Sequence, residues 1–375
     1  MEDVKMRALV TGGAGLIGSH IVDLLLAKGY KVNIIDNLEP ETHPKGKPGW
    51  IPKEVRFIQG DVSDEKALFE AMKDVDVIFH QAAYGGFAPN QNKYVYSNTL
   101  GTSNMFHVIR TKKIPVKKIV FASSQAVYGE SRYLCKEHGL FEPGFRDKKD
   151  LEKGEWEHKC PKCKKEMAGV AIDEKKRLMP TTMYAITKYT EELISFPIGG
   201  AIGIPVAGLR YSLTYGPRQS LSNPYTGICS IFSTQILNNI PPTVYEDGKQ
   251  TRDFIFVEDV ARANLLVMEN EKANNKVYNV GAGKATTIID FTKYLAEAYG
   301  KEPGYKLTGE FRPLDVRHLF SDARNLEKLG FKAKVPVKEG VKRYADWILS
   351  LGPVEEVFSK YKAKMEGMGI IEKKR

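Results

Sequence analysis

A glycine-rich turn near the start of the chain constrains the fold more than any other feature. Gly12 and Gly15 stand between an apolar run, residues 6–10, and a segment with helical spacing, residues 16–28, and Gly18 lies in the first turn of that segment. A buried strand, a glycine turn and a helix in this order are typical of dinucleotide-binding α/β folds. Gly12 permits the tight turn, Gly15 the approach of a pyrophosphate to the backbone, and Gly18 close packing of helix on strand. A purely structural tight turn is the alternative at this point.

Strand-like and helical patterns alternate along the first half of the chain. Apolar, strand-like runs occur at 31–36, 55–58, 75–79 and 118–122. Segments with helical spacing lie between them at 65–72 and 98–111. The alternation predicts an α/β fold with a doubly wound parallel sheet, Rossmann-like, with ligands at the carboxyl ends of its strands. We expect a first domain at 1–190, with an insertion at 132–179. A smaller lobe at 191–375 is expected to bind substrate and to return some segments to the first domain.

Composition and charge favour a soluble enzyme that binds neither nucleic acid nor membranes. The chain has 375 residues and no apolar run close to the roughly 20 residues that cross a bilayer. Its start, Met1-Glu2-Asp3, lacks the form of a signal peptide, so a cytoplasmic location is expected. The net charge of +10 is dispersed, and residues 132–179 hold 13 basic against 10 acidic side chains. We therefore expect neither nucleic-acid nor membrane binding.

Asp36 indicates which dinucleotide the glycine turn would hold. It ends the second predicted strand, 18 positions after Gly18. A carboxylate there accepts hydrogen bonds from the ribose hydroxyls and repels a 2′-phosphate, which favours NAD over NADP. Asp61 and Val62 follow the next strand and are expected near the adenine.

Tyr184 and Lys188 are candidates for proton transfer. Four positions apart, they share one face if this segment is helical, and an ammonium group near a phenol favours its ionisation. Ser124 ends a predicted strand and would hydrogen-bond the same substrate hydroxyl. A Tyr-x-x-x-Lys pattern is common by chance, so an exposed helix turn is the alternative interpretation.

Many further short segments occur in the order found in one family. They are residues 11–20, 36–37, 60–62, 80–83, 98–102, 123–129, 184–188, 209–211, 215–219, 252–261 and 278–281. In these segments the chain resembles the extended short-chain dehydrogenase/reductase family and, within it, the nucleotide-sugar epimerases. The resemblance implies Ser124, Tyr184 and Lys188 as the catalytic group and a homodimer as the assembly. It also implies a nucleotide-diphosphate sugar as substrate and NAD as a tightly bound, recycled cofactor.

Residue patterns and resemblance together give two sets of expected contacts. The cofactor contacts are Gly12, Gly15, Leu16, Ile17, Gly18, Asp36, Asn37, Asp61, Val62, Gln81, Ala82, Ala83, Asn98, Ser123, Tyr184 and Lys188. The substrate contacts are Ser124, Gln125, Tyr184, Arg218, Arg252 and Arg312. The family's usual Asn after Arg-Tyr-Phe is missing, since this chain has Arg210-Tyr-Ser-Leu213.

The residues after Ser124 favour one reaction over another. Sugar-nucleotide 4,6-dehydratases resembling this chain carry an Asp-Glu pair there, whereas this chain has Gln125 and Ala126, which exchange no protons. We expect epimerisation at C4 through a transient 4-keto sugar. The alternatives are a dehydratase or decarboxylase, a net dehydrogenase and a non-enzymatic NAD-binding sensor.

The insertion carries four potential metal ligands. Cys135 and His138 form one pair, Cys160 and Cys163 another, and four such ligands suit tetrahedral zinc. The alternatives are reduced surface thiols and a redox-active Cys-x-x-Cys pair. A structural zinc is favoured, because a polar, Lys-rich insertion has little apolar core to fold around. The insertion and the run 220–227 resemble a bacterial subgroup related to dTDP-L-rhamnose 4-epimerases.

Overall fold

The computed structural model describes residues 6–374 with the exception of Phe87, Pro224 and Thr226. Met1-Glu2-Asp3, on which the signal-peptide expectation rests, and two positions of the run 220–227 thus lie outside the described residues. Within the described part, no helix combines the length and apolar character of a membrane span.

Strands and helices alternate as the sequence pattern predicts. The strands are β1 (Arg7–Thr11), β2 (Lys31–Asp36), β3 (Arg56–Gln59), β4 (Val77–His80), β5 (Lys118–Ser124), β6 (Arg132–Cys135), β7 (Gly139–Phe141), β8 (Ala168–Val170), β9 (Val206–Tyr211), β10 (Leu213–Tyr215), β11 (Thr243–Val244), β12 (Thr251–Arg252), β13 (Phe254–Phe256), β14 (Lys276–Val280), β15 (Thr286–Thr287), β16 (Lys306–Leu307), β17 (Glu310–Phe311), β18 (His318–Leu319) and β19 (Glu372–Lys373). The α-helices are α1 (Leu16–Ala27), α2 (Glu65–Ala71), α3 (Gln91–Tyr94), α4 (Gly101–Lys112), α5 (Lys148–Glu152), α6 (Met183–Ala201), α7 (Ile228–Leu237), α8 (Val257–Glu269), α9 (Ile288–Ala298), α10 (Arg324–Glu327), α11 (Val337–Ser350) and α12 (Phe358–Gly367). A π-helical turn, Val95–Leu100, joins α3 to α4.

The central sheet has seven strands in the order β3-β2-β1-β4-β5-β9-β14, and all its pairs are parallel. This confirms the doubly wound parallel sheet. The chain reverses its direction of progress across the sheet between β1 and β4, the point where such sheets bind ligands. Ser124 is paired with Tyr211 in register, so the ends of β5 and β9 meet at this edge.

Helices cover both faces of the sheet because each presents an apolar stripe. On one face α1 packs with α8, and on the other α2, α4 and α6 pack together. Ile21, Val22 and Leu25 of α1 are almost wholly buried. Burial of each such side chain contributes about 1.5–3 kcal/mol, and together they fix α1 against the sheet.

The smaller lobe has an apolar core of its own. Phe254 and Phe291 stack with ring centroids 4.0 Å apart, and Tyr215 packs edge-on against Phe254. The hydroxyl of Tyr215 donates to the carbonyl of Val337 at 3.0 Å, which ties β10 to the start of α11.

The insertion forms a small antiparallel sheet in the order β7-β6-β8. Its own apolar cluster is small, with Tyr133, Phe141 and Met167 packed beside three cysteines, as expected for a polar segment. Ile172 donates to and accepts from the backbone of residues 320 and 322, which attaches the end of the insertion to the smaller lobe.

Candidate active site and metal centre

One cavity at the carboxyl ends of the central strands collects most of the predicted site residues. Those that line it are Gly12, Gly15, Leu16, Ile17, Gly18, Asp36, Asn37, Asp61, Val62, Gln81, Ala82, Ala83, Ser124, Gln125, Tyr184, Arg218 and Arg252. The cavity therefore runs from the glycine turn, past the Ser-Tyr pair, to two arginines.

The glycine turn is built so that only glycine fits at two positions. Gly12 has φ of +67°, and a Cβ there would lie 2.9 Å from the backbone of Ala82. A Cβ at Gly18 would lie 2.2 Å from the carbonyl oxygen of Gly12. Helix α1 begins after Gly15 with no side-chain cap, so the amides of its first turn are available to an anion in the cavity.

Asp36 lies close to the turn at the end of β2. Its carboxylate accepts hydrogen bonds from the amides of Ala14 and Leu38, both at 2.9 Å. Burial raises the pKa of Asp36. Asn37 beside it donates to Asp61 at 2.7 Å. The acidic end of β2 and the end of β3 thus share one polar corner of the cavity.

Tyr184 lies in the first turn of α6, after Thr182, whose side chain caps the helix by accepting from Ala185. Its hydroxyl has no hydrogen-bond partner among the described residues, and its ring centroid lies 6.5 Å from that of Tyr94. Ser124, at the end of β5, accepts from the amide of Ala126 at 3.1 Å. Both side chains line the same cavity, so a substrate hydroxyl has access to a phenol and a serine.

Buried polar atoms without protein partners mark the same cavity. The side-chain oxygen of Gln125 and Nη1 of Arg218 are both buried, and neither has a hydrogen-bond partner among the residues that the structure describes. Such atoms are rare in folded proteins unless a ligand or water completes them. Arg218 also has φ of +70°, which is unusual for a side chain other than glycine. A polar, anionic ligand such as a dinucleotide or a nucleotide sugar fits this lining.

Four predicted contacts do not line the cavity, and their side chains contact other residues of the chain instead. Lys188 is buried and donates to both oxygens of Glu191. Asn98 bonds the backbone of Tyr84, Ser123 donates to Glu192, and Arg312 stacks on Tyr245 at 5.2 Å. These four side chains support the walls of the cavity in the described structure.

Sequence reasoning missed two parts of the lining. His43 lies in the loop after β2, and burial lowers its pKa. Leu314, Asp315 and Val316 approach from the smaller lobe. A loop at the carboxyl end of a strand was a signal for His43, whereas no local pattern marks the segment 314–316. Leu213, where the family's asparagine is missing, also lines the cavity, and beside it Ser212 donates to Asp253 at 3.1 Å.

The four metal-ligand candidates meet at one end of the insertion. The ligand atoms of Cys135, His138, Cys160 and Cys163 all lie within 4.8 Å of one another. Sγ of Cys135 is 3.6 Å from Nδ1 of His138 and 3.6 Å from Sγ of Cys163. Cys135 ends β6 and His138 follows in the hairpin turn, so local structure positions the first pair. The fourth cysteine of the chain, Cys229, is buried in α7, apart from this cluster.

Comparison with known proteins places this site in a family. The sequence profile of the NAD dependent epimerase/dehydratase family matches residues 8–144 and 161–281. The chain belongs to this family. The residues between the two matched stretches, 145–160, lie within the insertion, so part of that element is extra to the pattern of the NAD dependent epimerase/dehydratase family.

Three 4-epimerases are similar to this chain over more than nine-tenths of its length. A dTDP-L-rhamnose 4-epimerase of Burkholderia thailandensis is 32% identical over 349 residues, which cover 91% of this chain and 94% of the relative. The structure of the UDP-glucose 4-epimerase of Thermotoga maritima, solved with UDP-glucose, matches this chain with a TM-score of 0.75 at 29% identity. The match covers 92% of this chain and 99% of the Thermotoga chain. The UDP-glucose 4-epimerase of Thermus thermophilus, solved with NAD, has a TM-score of 0.74 at 30% identity, with coverage of 93% and 100%.

Proposed function

We propose that the protein is an isomerase that inverts C4 of a nucleotide-diphosphate sugar with NAD as a recycled cofactor. The observation that carries this proposal is the cavity that the glycine turn shares with Ser124 and Tyr184. Among the described residues the hydroxyl of this tyrosine has no hydrogen-bond partner. The similarity to NAD- and UDP-glucose-bound 4-epimerases supports it. Candidate sugars are of the dTDP-L-rhamnose and UDP-glucose/galactose types.

The chemistry follows from the placement of these residues. Tyr184 takes the proton of the C4 hydroxyl while Ser124 hydrogen-bonds its oxygen. The glycine turn and Asp36 would hold NAD, which would supply the acceptor and donor of the C4 hydride. The 4-keto sugar turns over between the two transfers, and Tyr184 gives its proton back to the oxygen. The guanidinium groups of Arg218 and Arg252 are both proposed to bind the diphosphate through charge-assisted hydrogen bonds.

Epimerisation is preferred to the alternative reactions. Gln125 and Ala126 follow Ser124 in the cavity wall and supply neither acid nor base, so loss of water lacks a catalyst. A net dehydrogenase would accumulate reduced nicotinamide from free NAD and sugar, whereas an epimerase would not. A decarboxylase would release carbon dioxide, and an NAD-binding sensor would turn over nothing.

Tyr184→Phe tests the proposal directly. We expect loss of at least about a hundredfold in kcat, since general acid–base catalysis typically contributes that much, with NAD content unchanged. Tyr189→Phe, on the same helix but outside the cavity lining, is the matched control and should retain activity. A panel of dTDP-, UDP- and GDP-sugars, with C4 inversion followed by NMR, identifies the substrate. Full activity of Tyr184→Phe would contradict the assignment.

We further propose that Cys135, His138, Cys160 and Cys163 bind a structural zinc ion. With Zn–S bonds of about 2.3 Å, two sulfurs of a tetrahedral site lie about 3.8 Å apart, close to the 3.6 Å between Cys135 and Cys163. All four ligands come from the chain, so the ion has no open position for catalysis. Zinc would stabilise the folded insertion rather than take part in the reaction.

Metal analysis of protein purified without chelators tests the zinc site. We expect about one equivalent of zinc. Cys160→Ser should lose it, whereas Cys229→Ser, which changes a buried cysteine elsewhere, should keep it. Less than about half an equivalent in the wild type would contradict the proposal.

The division into a cofactor domain at 1–190 and a mainly substrate-binding lobe at 191–375, from which β9 and β14 return to the central sheet, is part of the same proposal. A homodimer is proposed as the assembly, on the strength of exposed apolar side chains on α6 and the adjacent π-helical turn. The cytoplasmic location and the absence of nucleic-acid or membrane partners remain predictions from sequence.

A further inference from the structure

A buried layer of charged side chains joins the insertion to the smaller lobe. At its centre the guanidinium of Arg317 is wholly buried and donates to Glu157, Glu246 and Asp247 at 2.5–3.1 Å. Arg146 of the insertion donates to Glu246 at 2.8 Å. Buried charges are tolerated only when partners and geometry are fixed, so this layer holds the insertion in one position on the lobe.

Asp315 lies between this layer and the cavity. It lines the cavity, and its carboxylate accepts from Nη2 of Arg252 at 2.8 Å. On the opposite side its backbone carbonyl accepts from Nη2 of Arg146 at 2.9 Å. The side chain of Arg146 is only 3% exposed, so this bond is shielded from bulk solvent. Asp315 therefore accepts hydrogen bonds from two arginines, Arg252 of the cavity and Arg146 of the insertion.

The insertion and Glu130, which lies just before it, also fix the two residues that follow Val316. The amide of Arg317 donates to Glu130 at 3.2 Å, and the amide of His318 donates to the hydroxyl of Tyr133 at 3.3 Å. The ring of His318 lies 3.0 Å from Glu157. Three successive residues, 315–317, also accept from Arg252 through a carboxylate or backbone oxygens. This segment thus lies between Arg252 and the insertion.

The loop that carries these insertion residues is closed at its base. Arg146 and Glu157 lie between His138 and Cys160, whose Nδ1 and Sγ atoms are 3.5 Å apart. Holding the two ends of a loop together reduces the conformations open to its middle. The segment between His138 and Cys160 is therefore constrained at its two ends by these residues and in its middle by the bond from Arg146 to Asp315.

We propose that Arg146 is a positioning residue for the sugar-nucleotide site. It holds the Asp315 backbone, and through the Asp315 carboxylate it holds the guanidinium of Arg252 in the place that receives the diphosphate. The inference rests on the proposed function, in which Arg252 binds that diphosphate. The insertion then contributes to substrate affinity without touching the substrate.

Arg146→Met tests this role, because methionine keeps much of the apolar volume but donates no hydrogen bond. The probe is UDP, dTDP or GDP, whichever the wild type binds most tightly by titration calorimetry. We expect the nucleotide to bind at least about tenfold more weakly, a loss of about 1.4 kcal/mol. KM should rise similarly, with kcat within about threefold of the wild type and NAD content unchanged.

Arg132→Met is the matched control, since Arg132 lies in the same insertion but pairs with the surface residues Glu142 and Asp173. It should bind nucleotide like the wild type. Arg146→Lys, which keeps a charge beside Glu246 but lacks the second guanidinium donor, should also weaken binding, and it replaces the methionine variant if that variant does not fold. Wild-type affinity in a folded Arg146 variant would overturn the inference. A wild type that binds none of the nucleotides and inverts no nucleotide sugar would instead overturn the proposed function.

Discussion

Lys188 and Glu191 form a buried ion pair on α6, with both carboxylate oxygens 2.9–3.0 Å from Nζ. Lys188 lies one helical turn from Tyr184, so the charge on Glu191 decides how much positive charge the phenol experiences. Burial raises the pKa of Glu191 from 4.5 to about 7, against the opposing effect of Lys188. Glu191 therefore changes its charge in the pH range in which the enzyme is expected to work.

This shift predicts a pH dependence of stability with a definite sign. A carboxyl whose pKa is higher in the folded chain favours folding when protonated. Its contribution is fully present below about pH 4.5 and is lost as the pH rises through about 7. Glu191→Gln is uncharged throughout, so its thermal midpoint relative to the wild type should rise between about pH 5 and about pH 8. Glu297→Gln, at an exposed site, should follow the wild type at both values.

Thermal unfolding of the three proteins at both pH values makes the measurement. A fall of the Glu191→Gln midpoint relative to the wild type would mean that attraction to Lys188 outweighs burial of the carboxylate. A constant difference would mean that Glu191 keeps one charge over this range. Either result contradicts the prediction.

The start of α1 shows how an element depends on one missing side chain. A Cβ at Gly18 would meet the carbonyl oxygen of Gly12 at 2.2 Å and Cα of Gly13 at 2.9 Å. Both are backbone atoms, so the helix itself must move away from the turn. Gly18→Ala should therefore destabilise the protein by about 1–3 kcal/mol and weaken NAD binding by displacing the amides that face the phosphates.

Gly200→Ala is the control for this change. Gly200 lies in the last turn of α6, and a Cβ there meets no atom within 4 Å. Alanine should stabilise the helix by up to about 1 kcal/mol. Chemical denaturation and NAD titration measure both effects. Equal behaviour of the two variants would show that helix propensity, and not the close approach of α1 to its turn, governs Gly18.

The elements could be predicted from sequence where their pattern is local. Strand β2 has the predicted limits, and α1 begins where predicted, because apolar runs and glycines mark them within a few residues. The π-helical turn Val95–Leu100 had no such mark. Its Asn98 bonds Tyr84 and Thr187, contacts that join residues far apart in the chain.

The residues of the candidate site likewise divide into those that a local pattern predicts and those that depend on distant contacts. Ser124 and Tyr184 were predicted and meet in one cavity, because each stands at the end of an element that the sheet brings together. Arg146 and Asp315 contact each other although they are 169 positions apart in the sequence. No local pattern in the sequence predicts such a contact. The Cys/His cluster was predicted because ligand chemistry restricts its residue types.

At the scale of the whole molecule, an exposed apolar surface indicates how two copies would meet. Tyr96 and Leu193 are 58% and 55% exposed, and Val95, Leu100 and Ile186 are also exposed on α6 and the neighbouring 95–100 turn. These two elements pack against each other, so the side chains form one surface. Grouped exposed apolar residues of this kind mark protein interfaces.

The dimer proposal predicts that one charge on this surface separates the subunits. A glutamate in place of Leu193 would bury its charge in the interface twice, once from each copy, because a two-fold interface uses the same patch on both. Sedimentation equilibrium should give twice the chain mass for the wild type and the chain mass for Leu193→Glu. Leu349→Glu, at a similarly exposed leucine on α11, should remain dimeric. A monomeric wild type, or equal dissociation of both variants, would exclude this surface as the interface.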